Sequence, residues 1–181
     1  MTLKRNSMPK TRKNEFGCAT ALGEMSMAFQ ELENRLLELF ASFTDKDDLT
    51  TGLIIGSQLS FRKLCDTSEA LCRHRTKDKE AITEISAIVK NCAKLEGQRN
   101  TYIHSYYASA SFGDALEVFA RSKHKIKRGK GFSSDCDSHE PEKLRDLAFD
   151  MESEARRIKE FLEWLREDGI VPPESPESPF L

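Results

Sequence analysis

A chain of 181 residues that is 38% hydrophobic and 32% charged can bury one domain-sized core, and is too apolar for a disordered polymer. No run approaches the roughly 20 consecutive apolar residues of a membrane-crossing helix, and the N-terminus is charged without an apolar signal core, so a cytoplasmic protein outside the membrane is expected. The net charge of −2 hides a segregation, with +4 over residues 1–16, +6 over residues 121–130 and about −12 elsewhere, so a polyanionic partner remains compatible with the acidic balance.

Residues 1–16 are polar and basic without apolar periodicity, which predicts a disordered basic arm. From Ala19 to Phe43 apolar residues recur at Met25, Phe29, Leu32, Leu36 and Phe40, the spacing of one helical face. Asp45 to Asp48 form a polar connection, after which Thr50 or Thr51 can cap a second helix over Leu53 to Arg73, with Gly56 positioned to break or bend it. Thr76 is a candidate cap for a third helix, and Asp78 and Glu80 suit its positive end; the pattern runs to about Tyr106. Between Phe112 and Phe132 the helical period fails: Leu116–Phe119 and Lys123–Lys127 read as short strands or an extended arm, and Ser133–Glu140 as a polar loop. Pro141 suits the first turn of a last helix carrying Leu144, Leu147, Met151, Ala155, Ile158, Leu162 and Leu165 to about Arg166. The Pro-rich stretch that follows cannot be helical.

These elements predict an all-α protein: an antiparallel up-and-down bundle of four to five helices over residues 17–167, a short basic extended or hairpin insert before the last long helix, and a disordered tail over residues 168–181. The five cysteines are odd in number and scattered, which reads as buried thiols; neither a metal site nor a cofactor is expected.

The chemistry concentrates late in the third helix. Its apolar stripe passes through Ile82, Ile85, Val89 and Cys92, and the same count reaches Glu96, Arg99 and Ile103, so an arginine stands where a leucine belongs. Asn100 and His104 are four apart and share the adjoining face. Gly97, costing roughly 1 kcal/mol of helix propensity relative to alanine, suits a place where another backbone or a ligand approaches closely. About 0.3 Arg-x4-His pairs are expected here by chance, so the setting carries the signal more than the spacing does.

In that setting Arg99-Asn100-Thr101-Tyr102-Ile103-His104 resembles the motif of the HEPN superfamily (higher eukaryotes and prokaryotes nucleotide-binding): an arginine, four to six residues of which the first is polar, then a histidine. Tyr106 extends the match to the Arg-x4-His-x-Tyr form of HepT-type toxins, in which a partner nucleotidyltransferase adenylylates the tyrosine. The resemblance implies a metal-independent endoribonuclease working as a homodimer, a toxin or defence effector with an antitoxin or nucleotidyltransferase partner. Arg99, Asn100, His104 and Tyr106 would be its catalytic set. A neutral imidazole can take the proton of an RNA 2′-OH, an imidazolium can protonate the leaving oxygen, and a guanidinium can hold two phosphate oxygens. The six cations Arg121, Lys123, Lys125, Lys127, Arg128 and Lys130 are the expected RNA-binding segment. The competing readings are a catalytically silent nucleic-acid-binding module and an adaptor in which Arg99 and His104 organise a homodimer; the structural reading of Arg99 is a pair with a carboxylate such as Glu96 inside the bundle or the dimer interface.

Overall fold

The computed structural model describes residues 10–44, 49–112, 116–127, 131–138 and 141–173. Five helices, α1 (Lys10–Thr44), α2 (Leu49–Gly56), α3 (Phe61–Arg75), α4 (Lys79–Ile103) and α5 (Pro141–Glu167), and three strands, β1 (Tyr106–Phe112), β2 (Leu116–Lys127) and β3 (Gly131–Ser138), are found among them. The expected bundle is present, and contacts along it fix its directions. Gly52 lies against Ala41 and Gly56 against Phe40, so α2 returns along α1. Phe61 meets Phe29 while Arg75 reaches Phe43, so α3 is parallel to α1. Ser86 bonds Glu69 across α3 and α4, and Glu84 and Asn91 meet Arg157 and Glu154 across α4 and α5. Each helix therefore runs against the one before it, which leaves α1 and α5 parallel, tied by Arg145–Glu24 and Arg166–Glu38.

The core is the predicted seam. Met25, Leu32 and Leu36 of α1, Ile85 and Cys92 of α4, and Met151, Ile158 and Leu165 of α5 are wholly buried. Burial at roughly 25 cal/mol per Å² of apolar surface makes this the main stabilising contribution. Polar groups close the ends. Arg75 donates from Nε to the Phe43 carbonyl and from Nη2 to the Thr44 carbonyl, both at 3.0 Å, satisfying oxygens that α1 cannot pair within itself. The buried Glu38 is held by Arg35 and Arg166 at 3.1 Å each.

Several boundaries differ from expectation. α1 begins at Lys10, so residues 10–16, expected as part of a disordered arm, are helical; basic residues have high helix propensity and extend a helix nucleated by the core behind them. Residues 1–9 lie outside the described residues, as do 45–48. The single helix expected over Leu53–Arg73 is two, because Gly56 presses on Phe40 and Leu37 and Ser60 restarts the chain as the N-cap of α3, accepting from the Lys63 amide. Asp78, not Thr76, caps α4, its carboxylate accepting from the Glu80 amide at 2.8 Å; Thr76 is the C-cap of α3.

The insert is larger than expected, a three-stranded antiparallel meander in the order β1-β2-β3. Tyr106 opens β1 rather than closing α4, the two short strands are one continuous β2, and the polar Ser133–Ser138 stretch is strand, with Ser133 opposite Lys125 and Ser138 opposite Ala120. Such a polar strand has no hydrophobic alternation to betray it; it forms because β2 offers an edge of unpaired backbone groups. At the other end α5 stops in a Schellman turn: Gly169 has φ +67°, its amide donates to the Arg166 carbonyl and that of Ile170 to the Leu165 carbonyl at 2.9 Å. Val171 then returns to the core at 3% exposure. Residues 168–171 thus belong to the domain rather than to a disordered tail, and residues 174–181 lie outside the described residues.

The α1–α2 contact is close because a side chain is missing. A Cβ at Gly52 would stand 2.6 Å from Ala41 Cα and 2.9 Å from its carbonyl oxygen, and backbone cannot step aside as a side chain end can. Gly52→Ala is expected to lower stability by about 1–3 kcal/mol in urea denaturation followed by circular dichroism; an unchanged midpoint would mean that α2 is not seated on α1.

Candidate functional site

The buried stripe of α4 continues through Ile85, Ile88, Cys92 and Leu95, and the next step of four reaches Arg99. The stripe uses Leu95 where Glu96 was expected, with the same destination. Arg99 is half-buried, with its guanidinium carbon 4.8 Å from the centroid of the Phe29 ring. That ring is itself 4.8 Å from the Phe61 ring, tilted by 43°. α1, α3 and α4 therefore meet in an aromatic pair with a cation lying on it, an arrangement that contributes about 0.5–2 kcal/mol depending on desolvation.

The polar edge of the guanidinium is only partly satisfied. Nη1 donates to Asn100 Oδ1 at 3.0 Å, while Nε is buried without a hydrogen-bond partner. Among the described residues no carboxylate stands within ion-pairing distance of Arg99, Glu96 included. Among the described residues the Arg99 guanidinium meets a ring face and an amide oxygen rather than a carboxylate.

His104 is the C-cap of α4 and is exposed. Its amide donates to the Asn100 carbonyl at 3.3 Å. Asn100 thus touches both ends of the motif, its side chain accepting from Arg99 and its carbonyl accepting from His104. The last carbonyls of α4 are further occupied by hydroxyls: Thr101 Oγ1 donates to the Gly97 carbonyl at 3.0 Å and Ser105 Oγ to that of Thr101. Tyr107 Oη donates to the Tyr102 carbonyl at 3.1 Å, pinning the start of β1 to the helix end. A Cβ at Gly97 would meet nothing within 4 Å, so no close approach among the described residues accounts for this glycine.

Tyr106 sits two residues beyond His104, opposite Ser122; its side chain lies outside the described residues. The register carries the basic run to the same end of the bundle. Tyr107 faces Arg121, and β2 continues past the start of β1 to Lys127, about 16 Å at the rise of a strand. Arg121, Lys123, Lys125 and Lys127 occupy every second position of β2, opposite Asp137, Asp135, Ser133 and Gly131 respectively. Two of the four basic positions therefore face acidic ones, which dilutes the charge that the sequence advertises. Arg128 and Lys130 lie outside the described residues.

Sequence reading missed the role of Phe29, named above only as a core position. Nothing in the chain pairs it with Arg99, 70 residues away, until α1 and α4 are folded together. Cys18, Cys65, Cys72 and Cys92 are buried free thiols, and burial pushes the Cys72 thiol up to about 11, out of the range of a reactive thiolate. No family model, curated protein or solved structure matches the chain.

A double-mutant cycle measures whether the ring holds the cation. With Phe29→Leu, Arg99→Met and the pair, urea denaturation is expected to return a coupling of about 0.5–2 kcal/mol. Strictly additive changes would mean that the two side chains are neighbours without interaction.

Proposed function

We propose that the protein is a metal-independent endoribonuclease of the HEPN kind, with Arg99 and His104 as its catalytic pair. The observation that carries this reading is the uncompensated guanidinium. An arginine kept for structure at a core seam would be expected to have a carboxylate, because a half-buried charge without one is unfavourable. Arg99 has none among the described residues, and a guanidinium without a carboxylate is suited to receive an anion supplied from outside the chain. A phosphodiester is that anion, and the exposed imidazole five residues on, at the C-cap of α4, supplies the proton chemistry.

In this reading the neutral imidazole of His104 accepts the proton of a ribose 2′-OH as that oxygen bonds to the adjacent phosphorus. The bond from phosphorus to the 5′ oxygen breaks, and an imidazolium donates the proton that the leaving oxygen needs. Arg99 holds the equatorial oxygens as charge builds on them, and Asn100 steadies the guanidinium through its Oδ1. Two copies of the chain would set two such pairs across one cleft, giving a base and an acid at once. DNA has no 2′-OH and is inert to this route. The basic half of β2 extends from the motif end and would carry the flanking phosphates.

The test is incubation of the full chain with RNA and with DNA of the same sequence, chelator present. RNA cut to 2′,3′-cyclic phosphate ends with intact DNA is expected, with Arg99→Ala and His104→Ala each losing at least about 100-fold. Intact RNA with retained binding would favour a silent nucleic-acid-binding module, and loss of a dimer on either substitution would favour the adaptor. In the same RNA-binding assay Lys125→Ala and Lys127→Ala should each flatten the salt slope by about 0.7–0.9. Arg121→Ala and Lys123→Ala should flatten it less, because Asp137 and Asp135 stand opposite; equal slopes for all four would contradict the register argument.

A further inference from the structure

Between the start of α4 and the end of α5 lies an open groove of about 640 Å³. Two aromatic rings line it: Phe161 is buried, Trp164 is half-buried, and their centroids lie 5.7 Å apart with the planes tilted by 57°. Lys79 and Glu80 stand on the α4 wall and Glu160 on the α5 wall, all three exposed. Arg157 is taken up by Glu84 at 2.6 Å and Glu154 at 3.5 Å. An indole left half-open in a groove is a surface on which an extended, proline-bearing segment can stack.

The chain itself carries such a segment. After the Schellman turn the Val171 amide lies 3.3 Å from the Leu165 carbonyl, so the backbone comes back beside the residue that follows Trp164. Residues 173–179 then read Pro-Glu-Ser-Pro-Glu-Ser-Pro, a strict triplet. Proline fixes its own φ and turns the residue before it away from the helical region, so this sequence favours polyproline II, which has three residues per turn. The triplet therefore puts Pro173, Pro176 and Pro179 on one ridge, the glutamates on a second and the serines on a third. Successive prolines of the ridge are about 9 Å apart, and the α5 side of the groove, from Arg157 to Trp164, runs about 10 Å along the helix. One turn of the segment matches the groove in length.

We propose that residues 174–179 fold back into this groove and lay the ridge of Pro176 and Pro179 against the Trp164 indole. Pro176 is five residues beyond Val171, which gives it up to about 17 Å of extended chain, and a segment already restricted to polyproline II loses little further entropy on docking. Charge does not hold it there: Lys79 and Arg157 are outnumbered by Glu80, Glu84 and Glu160, so an acidic segment gains no net attraction and contact with the ring has to carry the docking. Lys79 and Arg99 are separated by about 30 Å along α4, so this contact and the RNA-cleavage reading fail independently.

Trp164 is the only tryptophan of the chain, so indole fluorescence reports on this groove alone. Acrylamide quenching is compared between the full chain and its Pro176→Gly, Pro179→Gly double variant, whose changes lie outside the core. A short tether supplies an effective concentration on the order of 1 mM, so even a contact of millimolar affinity is about half formed, and its loss should raise the quenching constant about twofold. The free peptide Pro-Glu-Ser-Pro-Glu-Ser-Pro, added to the variant at several times that concentration, should restore the protection, and a peptide of the same composition with its prolines out of the triplet should not. Equal quenching of the two chains overturns the docking. Protection that disappears on dilution would assign the groove to the tail of another copy, and protection abolished by salt would mean that charge rather than the ring holds the segment; either result contradicts the proposal.

Discussion

A cation lying on an aromatic ring at the end of an apolar core is the interaction on which the functional reading depends. Phe29 comes from α1, Phe61 opens α3 and Arg99 ends the buried stripe of α4, so the contact exists only when three helices are in register. The ring face partly offsets the loss of hydration of the guanidinium without neutralising it. That combination orders a positive charge on a ring face and an amide oxygen, without a carboxylate partner among the described residues. Asn100 fixes the remaining orientation by accepting from Nη1 and, through its own carbonyl, holding the amide of His104.

The rest of the bundle can be understood as what makes that end of the molecule rigid. Alternating helix directions bring the end of α4 beside the middle of α1, and the parallel α1–α5 pair is locked at its far end by Glu38 between Arg35 and Arg166. Rigid elements hold a charged side chain in place within a small tolerance. The meander begins directly after His104, and its register brings the basic half of β2 back to the motif. The basic run of the sequence is interleaved with acidic positions in the sheet register, Asp135 and Asp137 standing opposite Lys123 and Arg121.

What was legible in the chain was whatever a period could carry. The seams of α1, α4 and α5 are one-dimensional patterns, and the burial of Met25, Ile85, Met151 and Leu165 follows them. Arg99 was visible as a violation of such a pattern. Partners across helices were not, because neither Phe29 nor Glu154 bears any local mark of the residue it meets. The meander was only half legible: β2 announces itself through Val118, Phe119 and Ile126, whereas β3 after Phe132 is Ser, Asp and Cys and becomes a strand through its neighbour. Boundaries moved for similar reasons, Gly56 by packing on Phe40 and Leu37, and the end of the domain by a glycine turn that sends Val171 home.

The most direct test is whether an RNA phosphate meets the Arg99 guanidinium. The 15N resonance of Arg99 Nε and its attached proton can be followed while the full chain is titrated with an RNA dinucleotide whose 5′ nucleoside is 2′-deoxy, so that it cannot be cut by 2′-OH attack. A saturable shift of that signal, abolished by high salt and accompanied by a change at the His104 imidazole, is the expected result. Binding of the dinucleotide with the Arg99 signal unmoved would contradict the assignment of this cation as the phosphate receptor.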